Sequence, residues 1–256
     1  VGPGEPLFAY ALAGRGQVGL ISSATLRTLP RRTFARIFTS QHADLESLAR
    51  WLEWLEPMPT VPLVFNAFTT GGPVLAEVGV EAADLDGLRA IRNPTDAPSS
   101  ARNLRFLHSV MQGQRCRWLD EHRGHRRLWT DFILPRADFA TFARWLDVLR
   151  REPELRGVLK AIYVLAMRPE TQAPLAASAQ PGALLLGAGL YCMVRDGDSG
   201  GLQAAKDALR RSLHRCVELG GRPYRYGFND MLDERAIYGD ALDPLRALRQ
   251  QLDPKG

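Results

Sequence analysis

Lysine is almost missing from this 256-residue chain: Lys160, Lys206 and Lys255 stand alone, so nearly all of the 33 basic residues are arginine. The net charge of +5 could suit an anionic partner. The arginines, however, are spread among Asp and Glu on helix-like segments, which is the pattern of a solvated face. With abundant Ala, Gly and Leu, the arginine excess reads as the coding bias of a GC-rich, bacterial genome, and nucleic acid is not expected as a partner. Cysteine is equally scarce. Cys116, Cys192 and Cys216 are odd in number, have no CxxC spacing and lack a His at ligand spacing, which excludes a disulfide scaffold and points to free, buried thiols in a reducing cytoplasm. No apolar run approaches the roughly 20 residues that span a bilayer, so no membrane is expected. No secretory pattern opens the chain. Internal repeats and low-complexity runs are also missing from view.

Several chemistries lose their support in the same way. His122-x-x-His125 has no third ligand beyond Asp120 or Glu121 and sits among five arginines, so it reads as a polar surface loop rather than a metal site. Gly14-x-Gly16-x-x-Gly19 fits GxGxxG literally but precedes a strand-like segment instead of opening a helix, so it fails the context test for a dinucleotide fold. Ser22-Ser23 and Ser99-Ser100 lack a GxSxG setting.

What remains is a well-patterned globular chain, 45% apolar, long enough for one large domain or two small ones. Residues 17–29, 33–39, 61–70, 74–80, 128–134, 159–167 and 183–194 read as strands. Gly71-Gly72-Pro73 marks a hairpin turn between the third and fourth of them. Residues 42–55, 83–91, 137–151, 200–219 and 243–252 read as helices. The stretch 104–119 also reads as helical, 92–101 is a loop by composition, and Gly220-Gly221 closes the fourth helix. Hairpin-like pairs of strands favour an α+β fold: a single, mostly antiparallel sheet with helices centred near Leu48, Trp145 and Leu209 packed on one face.

Three blocks carry a family resemblance. The start, LFAYALAGRGQVGLISSATL from Leu7 to Leu26, resembles the seam between the flavin and substrate domains of FAD-linked oxidases of the vanillyl-alcohol-oxidase type, with Ala13, Arg15 and Val18 departing from the usual pattern. FLHSV from Phe106 and LWTDFILP from Leu128 resemble two segments of the cytokinin dehydrogenases. Here His108 and Ser109 replace an Asp and an Arg, and Leu128 and Thr130 replace the Trp and Asn that reach the substrate. Adenine-type substrates are therefore not expected. The third block, Gly220 to Gly256, resembles the tail of these enzymes, which folds back beside the flavin domain.

The resemblance implies that residues 1–30 are a seam segment from a flavin domain lying before Val1, that 31–219 are the substrate or cap domain, and that 220–256 are the returning tail. It implies FAD, with the backbone around Gly14, Gly16, Gln17, Gly19 and Leu20 lining it. It places Leu128, Thr130 and Tyr224 at the substrate, and makes Tyr226 and Asn229 the residues that orient a substrate hydroxyl or amine as hydride leaves for the flavin. The tyrosines could equally be structural, with satisfied hydroxyls. Asp44, Glu46, Glu53, Glu56, Glu77 and Asp131 are the carboxylates available as a general base. The expected function is thus the cap of an FAD-dependent oxidoreductase acting on a small molecule, cytoplasmic and inactive without its flavin domain. The alternative is a stand-alone, non-catalytic binding or scaffolding domain derived from such a cap.

Overall fold

The computed structural model describes residues 1–12, 16–26, 28, 32–59, 61–62, 64–95, 99–104, 124–170, 174–175, 180–224, 227–228 and 233–255. In chain order the elements are α1 (Pro6–Ala11), β1 (Phe34–His42), α2 (Leu45–Trp51), β2 (Val64–Thr69), β3 (Val74–Ala82), α3 (Leu85–Ala90), β4 (Ser100–Leu104) and β5 (His125–Pro135). Then come α4 (Arg136–Leu149), β6 (Leu159–Met167), β7 (Leu185–Arg195), α5 (Ser199–Glu218), β8 (Arg222–Pro223), α6 (Glu234–Tyr238) and α7 (Leu242–Leu252). All eight strands form one antiparallel sheet in the order β4-β1-β3-β2-β6-β7-β5-β8. The fold class is α+β, as the patterning implies. Among the described residues no helix is long and apolar enough to cross a membrane.

The order reveals a repeat that the sequence hides. A β-α-β-β-α unit (β1, α2, β2, β3, α3) recurs as β5, α4, β6, β7, α5, and the two halves join through the antiparallel pair β2–β6. Apolar positions rather than shared letters define such a unit, so no self-similarity is visible in the sequence itself.

One face of the sheet carries α2, α4 and α5, and the core lies between. Phe139, Phe142, Ala143, Leu146 and Leu149 of α4 fall on one helical stripe and are all buried. They meet Leu45, Leu48 and Leu52 from the α2 side and Leu209, Leu213 and Cys216 from α5. The sheet contributes Val74, Ala76, Phe132, Leu134, Ile162, Val164, Ala188 and Leu190. Cys192 and Cys216 are buried free thiols, and burial pushes the Cys192 thiol up to about 12. Cys116 lies outside the described residues.

Helix ends follow their capping residues. Asp44 and Ser47 form a reciprocal capping box at α2, with the Ser47 amide donating to Asp44 at 2.7 Å. Asp198 accepts from the Gly201 amide at 2.8 Å and starts α5. A buried carboxylate ties two helices together. Asp147 of α4 accepts the amides of Leu45 and Glu46 at 2.9 and 3.1 Å, and its other oxygen takes Nε of Arg150 at 2.8 Å. Both members of that ion pair are only 8% exposed.

Some expectations fail locally. Residues 17–29 do not join the sheet: the described part of the segment has no strand partner, and Leu20, Ile21 and Leu26 are 96%, 68% and 80% exposed. β-branched composition makes a strand only where a neighbouring strand supplies the hydrogen bonds. Residues 100–104, partly assigned to a loop, form edge strand β4 by pairing with β1 far back in sequence. The helix-like stretch 104–119 lies almost entirely outside the described residues.

Asp147→Ala would leave Arg150 buried without its partner and free two amides at the start of α2. We expect a loss of about 3–5 kcal/mol, read as a lowered urea midpoint at unchanged slope.

Candidate functional site

Side chains alternate along β5, so neighbours in sequence serve opposite faces. Leu128, Phe132 and Leu134 enter the core. Trp129, Asp131 and Ile133 stand on the other face, away from α2, α4 and α5. There Asp131 is in register with Gly189 of β7, which pairs with Tyr163 of β6, which pairs with Phe68 of β2. Trp129 pairs with Tyr191 in the adjacent row.

Gly187 and Gly189 leave a strip of β7 bare of side chains. The Asp131 carboxylate leans into it: a Cβ on Gly189 would collide with Oδ1 of Asp131 and sit 3.0 Å from the Tyr191 ring. Trp129 and Tyr191 are stacked, with ring centroids 5.8 Å apart and planes 3° from parallel. Tyr224 adds a third ring, 6.4 Å from Trp129. The Arg127 guanidinium lies 5.9 Å over the Trp129 ring.

Asp131, Tyr163, Trp129 and Tyr191 are all half-buried, so the group is shielded by the sheet yet reachable from one side. Oδ1 of Asp131 is cut off from solvent and accepts no hydrogen bond among the described residues. Burial pushes this carboxyl up to about 6. The Tyr163 phenol is raised too, first by its own burial and then by the charge of Asp131. A carboxyl that titrates near neutrality, with a free acceptor oxygen and an aromatic wall beside it, can take a proton from a bound hydroxyl or amine.

The other carboxylates named from sequence are spoken for or lie in the open. Asp44 caps α2, Glu46 pairs with Arg50 and Arg144, Glu56 with Arg136, and Glu77 with Arg102 at 2.9 Å. Glu53 is exposed.

The remaining sequence-based positions are distributed as follows. Leu128 is 8% exposed and packs in the core. Thr130 is fully buried, and its hydroxyl donates to the Phe228 carbonyl at 2.6 Å. The register therefore offers Trp129 and Asp131, rather than Leu128 and Thr130, to the second face. Tyr224 is 42% exposed at the sheet edge, its amide donating to the Asp131 carbonyl at 2.6 Å. Tyr226, Asn229 and Gly14 lie outside the described residues. Trp129, Tyr163 and Tyr191 were not singled out from sequence; the Gly-x-Gly of β7 opposite an aromatic-x-acid in β5 is the signal that marks them.

Gly16, Gln17, Gly19 and Leu20 form a separate feature. Gly16 and Gly19 have φ of 78° and 135°, and the Gly19 amide donates to the Gly16 carbonyl at 3.3 Å. A Cβ on Gly19 would meet nothing within 4 Å. A flat group could thus approach this backbone closely, with the turn as one wall. The 96% exposure of Leu20 leaves that wall open on its other side. Val18, partly buried, packs against the small cluster of Tyr10, Leu175, Tyr238, Leu242 and Leu245. Among the described residues no cluster of three or more His, Cys, Asp or Glu could hold a metal ion.

No family model matches the chain, and no curated protein does. Solved structures do. A xylooligosaccharide oxidase from Myceliophthora thermophila C1, solved with xylobiose, aligns over 90% of this chain at 15% identity and a TM-score of 0.55. A protein designated FgChi7B aligns over 90% at 16% identity, also at 0.55. The Bermuda grass isoallergen BG60, a pollen group 4 allergen, aligns over 98% at 13% identity and 0.59. This chain spans 55%, 55% and 59% of their respective lengths. At such identities the likeness is one of fold.

The raised Asp131 carboxyl has a stability consequence. An unfolded Asp titrates near 3.9, so the folded protein holds this proton more tightly. The resulting stabilisation is complete below about pH 4 and is lost as pH rises through about 6. Asp131→Asn should therefore raise stability at pH 8 by up to about 3 kcal/mol and change it little at pH 4, as read from thermal melts at the two values.

Proposed function

We propose that this chain is the substrate-facing cap of an FAD-dependent oxidoreductase that oxidises a C–H next to a hydroxyl or amine. Asp131 carries the reading: a half-buried carboxylate with an unused oxygen, on a sheet face furnished with aromatic rings and bare glycines. The fold likeness to an oxidase solved with a disaccharide supports it, as does the seam-like Leu7–Leu26 segment. In this reading residues 1–30 and 220–256 are the segments that meet a flavin domain, and the missing domain supplies most of the cofactor contacts.

Bound flavin would supply two-electron oxidation, accepting hydride from the substrate carbon. The residues of this chain do the rest. Trp129, Tyr191 and Tyr224 would hold an apolar or sugar-like face of the substrate by stacking and exclude water from it. Asp131, ionised above about pH 6, would take the proton of the hydroxyl or amine on the reacting carbon. The Tyr163 phenol, which stays protonated at neutral pH, would donate a hydrogen bond to the same heteroatom. Gly16, Gln17, Gly19 and Leu20 would line one side of the flavin. Tyr226 and Asn229 would complete the pocket from the tail.

The test uses the full-length protein that contains this chain. It should show the visible absorbance of a flavin, bleached anaerobically by a substrate from a panel of sugars, small alcohols and amines. Its kcat/KM should rise with pH through about 6. Asp131→Asn should lower kcat by roughly 100-fold to 10,000-fold and abolish that limb of the pH profile, with the flavin retained. A colourless full-length protein would instead favour a stand-alone binding domain. A yellow protein indifferent to Asp131→Asn would remove Asp131 from the chemistry.

A further inference from the structure

A second polar feature lies at the β8 edge of the same face, where the chain leaves α5 and enters the C-terminal helices. Arg222 of β8 stands opposite Ile133 and reaches Tyr238, a member of the small core of Tyr10, Leu175, Tyr238, Leu242 and Leu245. Its guanidinium lies 5.6 Å over the Tyr238 ring. Nη2 donates to the Tyr238 carbonyl over a long 3.4 Å. Nη1 is shielded from solvent and has no acceptor among the described residues. A buried, charged donor left unmatched is costly, and proteins normally answer it with a carboxylate.

Among the described residues no acid does so. The ionisable groups whose charge Arg222 feels are the phenols of Tyr238 and Tyr10, and burial draws the guanidinium below its usual range. Asp240 and Asp243 are engaged by Arg235, at 3.1 and 2.6 Å. Asp240 stands at the rim with its side chain 98% exposed.

Arg222 also lines a cleft of about 410 Å³, together with Val217, Gly221, Ala236, Ile237 and Tyr238. That volume lies in the range of small-molecule sites; its walls combine Val217, Ala236, Ile237 and glycine backbone with two charged groups, the Arg222 guanidinium and the Asp240 carboxylate that Arg235 already holds. Arginine is the side chain whose planar fork matches an oxyanion.

We propose that this cleft binds a small organic anion, with its carboxylate or phosphate on the Arg222 guanidinium and its apolar body against Ala236, Ile237 and Val217. The site uses neither Asp131 nor the glycine turn, but it lies in the 220–256 segment that the proposed function gives to the flavin-domain contact, so the test is made on this chain alone. The ligand supplies the acceptor that Nη1 lacks, and it bridges β8 to α6.

Benzoate is a suitable probe, with neutral benzamide as its isosteric control, both titrated into this chain by calorimetry. Benzoate should bind saturably at one site, at least about tenfold tighter than benzamide, since a charge-assisted hydrogen bond is worth about that factor or more. Inorganic phosphate should compete with it. Arg222→Met should weaken benzoate by about tenfold or more. Ala236→Trp, at an exposed position, fills the cleft with Arg222 intact and should weaken it as much, so the test survives if the methionine variant does not fold. Equal binding of benzoate and benzamide, no benzoate binding at all, or wild-type affinity in either folded variant would overturn the proposal and leave Arg222 as a structural staple on Tyr238.

Discussion

The register of β5 on β7 is the constraint from which the second face follows. The two strands are paired over eleven positions, His125 with Arg195 through to Pro135 with Leu185. A slip of one residue would turn every side chain to the other face. Trp129 and Asp131 would enter the core, and Phe132 and Leu134 would leave it. Phe132 and Leu134 are fully buried, and Phe132 meets Phe142 of α4 edge-on at 5.7 Å. The apolar layer under the helices therefore fixes the position of a carboxylate that would not choose burial by itself. Asp131 remains half-buried because the sheet cannot shift without exposing that layer.

The edge of β5 is fixed by a second device. Tyr224 and Phe228 lie along it, their amides donating to the carbonyls of Asp131 and Trp129 at 2.6 and 2.7 Å. Gly227 permits this approach, since a Cβ there would stand 2.5 Å from the Trp129 carbonyl. Tyr224 is thus delivered to the Trp129 ring by backbone pairing rather than by side-chain packing.

Period was legible in the sequence; partnership was not. The apolar stripe Phe139, Phe142, Leu146, Leu149 announced α4, and the Gly71-Gly72-Pro73 turn announced the β2–β3 hairpin. The edge strand β4 was obscured because its partner β1 lies about sixty residues earlier. The segment after Gly19 has the composition of a strand without a neighbour to make it one. At the candidate site, Asp131 was one of six acids that sequence could not rank. Ranking them needed the hydrogen bonds: Asp44 is spent on a cap, Glu46, Glu56 and Glu77 on arginines, and Asp131 on none of these. Leu128 and Thr130 drew attention by alignment, whereas alternation offers their neighbours to the second face. Likewise, the fold likeness to proteins of 13–16% identity survives because a sheet and three helices require apolar period and volume, not particular letters.

Gly187 and Gly189 also bear on how this protein can change. A glycine within a strand costs about 0.5–1 kcal/mol relative to alanine, so alanine would ordinarily be an easy gain in stability. Here the genetic code places that gain a single base away from each codon. At Gly189 the added methyl would strike Asp131, and at Gly187 it would press on Leu165 at 3.2 Å. The bare strip is therefore a narrow mutational target: the commonest stabilising exchange is the one that closes it. Alanine at position 189 is accommodated only if the Asp131 side chain moves or is replaced, so positions 131 and 189 are expected to change together.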